Sequence, residues 1–272
     1  MSFEIIDLTI KTFDNINLHY RKDLVDNPKA IVLISHGLAE HCGRYDYVVK
    51  KLNSFGYSVY RYDHRGHGLS DGKRGYLEKY DVLYKDLNKL VDLVKEENPN
   101  TPLFMLGHSM GAHTLAWFGC NYKTKVNGMI FCSPLICDTF NSTDIECDSD
   151  NPFTLLPEVS SHTLTHDIDI INSYESDPLI LNNITLGMYN QLSKSTSDLK
   201  QNLINFNYPC LILHGSSDSV VSYEDSEFLY KQISSTDKNI IILNSLYHRL
   251  LDEIVKDEIL VKISKWIEKR LY

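Results

Sequence analysis

The chain has 272 residues, enough for one large domain with a deep core and short for two independent ones. Hydrophobic residues make up 43% and charged residues 23%, near the soluble globular average, so neither disorder nor a fibrous repeat is supported. Lysine plus arginine number 27 against 36 aspartate plus glutamate, a net charge of -9 that repels phosphate backbones and disfavours nucleic-acid binding as the main function.

The start, MSFEIIDLTIK, carries Glu4 and Asp7 and no basic stretch, so it is not expected to be a signal peptide. Residues 4–13 and 16–21 alternate apolar and polar, which predicts two strands with a turn near Asp14-Asn15. AIVLIS (30–35) is a continuous apolar run, as expected of a strand buried on both faces. A helix fits 44–55, a strand 57–62, and a long helix 78–98 that stops at Asn98-Pro99. Strand 102–106 runs into a helix of small residues from Ser109, and 126–133 is the next strand. Later come strand 208–214, helix 223–234, strand 239–243 and a final amphipathic helix over 252–271.

Strands separated by helices predict an α/β fold of βαβ units, a mostly parallel sheet of about eight strands with helices on both faces. Residues 135–200 break that rhythm. They are rich in Asp, Asn, Ser and Thr, and Asp144, Glu146, Asp148 and Asp150 form an acidic patch read as a solvated loop. The expected division is a core of 1–134 and 201–272 with an inserted cap, or lid, at 135–200. No apolar run approaches the roughly 18 residues of a membrane span. The six cysteines show no paired C-x-x-C spacing, and Cys120 and Cys132 sit in apolar surroundings. They are read as buried thiols of a reducing compartment, which points to the cytoplasm.

Gly107-His108-Ser109-Met110-Gly111 is G-x-S-x-G, and its context matters more than the pattern. It follows an apolar strand and opens a helix, the strand-turn-helix arrangement of a nucleophile elbow. Glycines two before and two after let neighbouring backbone pass without a Cβ clash. The serine needs a base, itself oriented by a carboxylate, and in this fold they follow in the order Ser, acid, His. Asp218 lies just past strand 208–214 and His248 in the loop after the last strand, so these are the expected partners of Ser109. All three then fall at strand C-termini, where open α/β sheets place their sites. The oxyanion donors are expected to be the amides of Met110 and, from the loop after strand 30–35, Leu38.

Five segments taken together, His36–Tyr45, Asp63–Ser70, Gly107–Gly111, Gly215–Asp218 and His248, resemble the monoacylglycerol lipase and lysophospholipase branch of the α/β-hydrolases over most of the chain. Tyr174–Leu179 is similar to that branch's cap segment. The resemblance implies a serine esterase acting on a small lipid ester, with Ser109, Asp218 and His248 catalytic. It places Glu40, Arg44 and Tyr174 near the polar, glycerol end of the pocket. An alternative use of Glu40 and Arg44 is to pair with each other and brace the loop. The Asp63–Ser70 stretch reads best as a hydrogen-bonded buttress of the oxyanion turn. The branch usually has glycine where this chain has Ala39.

The expected chemistry is two-step acyl transfer through an acyl-enzyme, with no metal and no organic cofactor. An apolar cap predicts rising preference from acetyl to octanoyl esters, and a transient contact of the cap with a membrane surface. Rival readings are a general carboxylesterase, an aminoacyl or peptide hydrolase using the acidic cap to hold an amine, a transferase, and a non-enzymatic ligand receptor. The last is disfavoured by the presence of all three triad members. Dehalogenase and epoxide-hydrolase chemistry is disfavoured because position 109 is serine.

Overall fold

The computed structural model describes residues 6–137, 151–156 and 163–271; the acidic patch at 144–150 and the first five residues lie outside them. Eight strands form one sheet in the order β1-β2-β4-β3-β5-β6-β7-β8. β1 (Ile6–Lys11) and β2 (Asn17–Asp23) make the expected hairpin, and β2 pairs antiparallel with β4 (Tyr57–Tyr62). From β4 through β3 (Ala30–Ser35), β5 (Leu103–His108), β6 (Gly128–Cys132), β7 (Cys210–Gly215) and β8 (Lys238–Leu243) every pairing is parallel.

The parallel strands are apolar throughout because both faces are covered. In β3, Ile31 and Leu33 face one cluster while Ala30, Val32 and Ile34 face the other. The same period of two divides Met105 from Phe104 and Leu106 in β5. α1 (Asp46–Ser54) and α7 (Lys256–Glu268) cover the second face with Val48, Val49, Leu52, Leu260 and Ile263. α2 (Asp81–Glu97), α3 (Met110–Asn121) and α6 (Glu224–Gln232) cover the first with Leu87, Leu90, Leu115, Phe118 and Leu229. Each such side chain, fully buried, contributes roughly 1.5–3 kcal/mol before entropy is counted.

Two helices start later than their apolar pattern suggests. α2 begins at Asp81 instead of 78, where the Tyr80 amide is taken by the Gln191 side chain at 3.2 Å. α7 begins at Lys256 instead of 252, because Asp252 and Glu253 turn inward to hold Arg249 and the Tyr247 amide. Between β6 and β7 lie α4 (Ile168–Glu175) and α5 (Leu186–Asn202). The first half of α5 packs Met188 and Leu192 into a third apolar cluster with Leu77, Leu83 and Met110, and its second half sets Leu199 in the main core. Among the described cysteines, Cys42, Cys132 and Cys210 are buried and Cys120 and Cys137 half-buried, all as free thiols.

Candidate active site

Ser109 sits between β5 and α3 with φ 52° and ψ -116°, a conformation that side-chain-bearing residues rarely adopt and that costs about 1–3 kcal/mol. Close packing holds it there. A Cβ at Gly111 would run into the carbonyl oxygens of Ser35 and His36, and one at Gly107 would lie 2.7 Å from the Ala112 amide. The Ser109 amide donates to Cys132 O at 3.0 Å, tying the turn to β6. Met110 is the first residue of α3, so its amide belongs to the turn that has no intrahelical acceptor.

Asp218 follows β7, and its side chain is fully buried. Its Oδ1 accepts the Val220 and Val221 amides, each at 2.9 Å. Its Oδ2 accepts His248 Nδ1 at 2.7 Å and His214 Nε2 at 2.9 Å. Burial alone would raise this carboxyl, but the His248 charge and these donors outweigh it and hold it below the usual carboxylate range. With Nδ1 committed to Asp218, the nitrogen His248 has left for a reacting hydroxyl is Nε2. The His248 ring lies 4.7 Å, centroid to centroid, from that of His108, the residue before Ser109. Burial first, and the neighbouring His248 second, push His108 down to about 3, which keeps it neutral.

The turn after β3 is fixed by hydrogen bonds. Glu40 Oε1 accepts the Gly37 amide at 2.5 Å and the Tyr45 hydroxyl at 2.7 Å, which fixes the backbone immediately before Leu38, the expected oxyanion donor. Ala39 takes φ 66°, the left-handed region that favours glycine, and its carbonyl accepts the Leu181 amide at 2.8 Å. His36 Nδ1 donates to Gly37 O at 2.7 Å while its Nε2 accepts the His64 amide at 2.9 Å. Asp63 accepts the Cys42 and Leu69 amides at 2.7 and 2.8 Å and His19 Nδ1 at 2.9 Å. Segment 63–70 thus buttresses the turn, as read from its polar groups.

Glu40 and Arg44 do not pair with each other. Glu40 Oε2 lies 2.6 Å from Arg249 Nη1, and Arg44 instead reaches Ser173 Oγ at 3.0 Å and Asp177 at 3.4 Å. The competing partners are nearer: Arg249 follows His248 into the site, and Asp177 arrives from the segment after α4. Two guanidinium groups lie over the Tyr174 ring, Arg44 Cζ at 5.5 Å and Arg249 Cζ at 5.3 Å from its centroid. Burial pushes the Tyr174 hydroxyl up to about 12. Sequence reasoning passed over His214 and Arg249. The signal for each was a polar residue at the edge of an apolar run: His214 closes YPCLILH, and Arg249 directly precedes Leu250-Leu251.

The family model described as "Serine aminopeptidase, S33" (Hydrolase_4) matches residues 26–254. The chain belongs to this family. It is 31% identical to a monoglyceride lipase of Rattus norvegicus, over 90% of this chain and 84% of that protein. It is 30% identical to a monoglyceride lipase homolog of Monkeypox virus, over 90% and 91% of the two chains. A soluble variant of monoglyceride lipase from Saccharomyces cerevisiae, solved with a substrate analog, superposes with a TM-score of 0.85 at 23% identity, over 99% of this chain and 95% of that one. The eight-stranded architecture is thus the α/β-hydrolase fold.

Proposed function

We propose that the chain is a serine hydrolase that cleaves carboxylic esters of lipids, monoacylglycerols or lysophospholipids foremost. The observation that carries the reading is the Asp218–His248 hydrogen bond of 2.7 Å beside the strained Ser109 turn. His248 Nε2 takes the Ser109 proton as Oγ attacks the ester carbonyl, and Asp218 holds the ring and stabilises its cation. The Leu38 and Met110 amides receive the oxyanion, the alcohol leaves with the proton, and water resolves the acyl-enzyme. This sequence calls for no metal or organic cofactor.

A lipid acyl chain is favoured over a peptide by what surrounds the serine. Met110 belongs to an apolar cluster with Leu156, Ile184 and Met188, against which Leu38 packs. A peptide amine would want an unengaged carboxylate; among the described residues Glu40 and Asp177 are both paired with arginine, while the acidic patch of that rival reading lies outside them. The names of the relatives point the same way. Residues 135–200 serve in this reading as a cap inserted into a core of 1–134 and 201–272, with Arg44 and Tyr174 at the polar end. No helix among the described residues is long and apolar enough to cross a membrane. The exposed Phe153 and Leu155, with Lys73 Nζ 3.9 Å over the Phe153 ring, support a cap that touches a membrane surface.

An ester series from acetyl to octanoyl, run on wild type and Ser109→Ala beside an aminoacyl-naphthylamide, tests the reading. The expected result is a kcat/KM that climbs by up to about fourfold per methylene and vanishes in Ser109→Ala. Fluorophosphonate labelling should vanish with it. Preference for acetyl would leave a general esterase, and preference for the naphthylamide an aminopeptidase.

A further inference from the structure

We propose that Arg249, the residue after the catalytic-histidine candidate, is a positioning residue: its ion pair with Glu40 holds the Gly37–Leu38 turn in place against the His248 loop and α4. The inference rests on the reading above, in which the Leu38 amide and His248 serve the reaction. Three elements meet at this one side chain. Nη1 lies 2.6 Å from Glu40 Oε2, and Nε donates to Asp252 Oδ2 at 2.5 Å. The guanidinium lies 5.3 Å from the Tyr174 ring, and the backbone amide donates to Leu164 O at 2.8 Å. Glu40 passes the constraint on, since its other oxygen takes the amide of Gly37, the residue before the proposed oxyanion donor.

Glu40 is 1% exposed and faces His36 and His108 from the ends of β3 and β5, Tyr45 from the turn before α1, Tyr174 from α4, and Arg249 with Asp252. Burial alone would raise its carboxyl. Arg249, the largest opposing influence, holds it well below the usual range. Burial keeps His36 and His108 below their ordinary values, hence neutral, so they do not balance the carboxylate near neutral pH. The space among Arg44, His108, Arg249 and Asp252 amounts to ≈ 10 Å³, room for about one water, and the guanidinium is already committed to Glu40 and Asp252.

Without the guanidinium, a buried carboxylate loses its counter-charge and takes up a proton. A neutral carboxyl is a poorer acceptor for the Gly37 amide, and the turn relaxes away from the oxyanion. The experiment is kcat and KM against pH, from about pH 5.5 to 9, for wild type, Ser109→Ala, Arg249→Met, Arg249→Lys, Glu40→Gln and the Arg249→Met/Glu40→Gln pair, on one octanoyl ester. In Arg249→Met, kcat should fall about 10- to 100-fold with KM within about threefold. Its kcat profile should gain an ionisation through which activity climbs as Glu40 loses the proton, and the double variant should lack that step. Arg249→Lys, which keeps the charge, should keep the wild-type profile.

Wild-type kcat and profile in Arg249→Met, a loss confined to KM, or an Arg249→Lys as impaired as Arg249→Met would each overturn the role. Should Arg249→Met not fold, Glu40→Gln decides: a fall in kcat of about tenfold at unchanged KM supports the role, and unchanged kcat overturns it. Wild type that cleaves no ester, or an active Ser109→Ala, overturns the hydrolase reading and this role together. An active wild type with an unaltered Arg249→Met overturns the role alone.

Discussion

Ser109 and Ala39 both hold positive φ at the candidate site, and their situations differ. Ser109 is wedged by the crowded glycines at 107 and 111, so its strain is what presents the hydroxyl at the end of β5. Ala39 carries a methyl that opposes its left-handed backbone, at about 1–2 kcal/mol. Ala39→Gly should therefore stabilise the protein by about 0.5–1 kcal/mol, after the added freedom of the unfolded chain is subtracted, and raise Tm by about 2 °C. Thermal unfolding of the two proteins checks it, and a lowered Tm would contradict the backbone argument. The acid, base and serine candidates were legible in the sequence because each follows a strand, and strand ends are where open sheets collect chemistry. Arg249 and its pairing with Glu40 were not, because which of several charged residues meet depends on how the loops cross, and position along the chain does not encode that.

At the scale of elements, α3 and α5 are joined by a buried polar chain. His113 Nδ1 donates to Leu135 O at 2.8 Å, and its Nε2 accepts the Ser195 hydroxyl at 2.6 Å. Trp117 Nε1 donates to the same Ser195 oxygen at 2.8 Å. Burial pushes His113 down to about 4, so the ring stays neutral and can accept. Ser195→Ala strands two polar groups in the core and should cost about 2–4 kcal/mol. A urea titration reads it as a lower midpoint with unchanged slope, and a cost under about 0.5 kcal/mol would mean the groups find other partners. The sheet itself was legible strand by strand, since short β-branched and apolar runs such as AIVLIS and YPCLILH suit a strand covered on both sides. The segment between β6 and β7 was legible only as an interruption. α5 is held by the third apolar cluster and by this polar chain, contacts between residues some eighty positions apart that no local pattern reveals.

For the molecule as a whole, buried neutral histidines set the response to acid. Burial holds His36, His64, His67, His108 and His113 below their ordinary value, His67 and His108 at about 3 and His113 at about 4. In the unfolded chain each returns to about 6.5. Below that pH the unfolded chain binds protons that the folded chain refuses, so stability is complete above about pH 6.5 and is lost as pH falls. Two carboxyls oppose this. Burial raises Asp86 to about 6 and raises Asp225, so below about pH 6 the folded state takes up protons there that the unfolded chain does not. His19, raised by its bonds to Asp63 and Asp7 against the pull of burial, contributes stability that is lost only as pH rises through its folded value. The depressed histidines outnumber the raised carboxyls, so the net effect of acidification below about pH 6.5 is a loss of stability. Urea midpoints at pH 7.5, 6.5 and 5.5 measure this directly: the second should lie somewhat below the first and the third well below both. A midpoint at pH 5.5 equal to that at 7.5 would mean that these rings reach water and titrate freely in the folded protein, and the hydrogen-bonded buttress of the oxyanion turn would lose its physical basis.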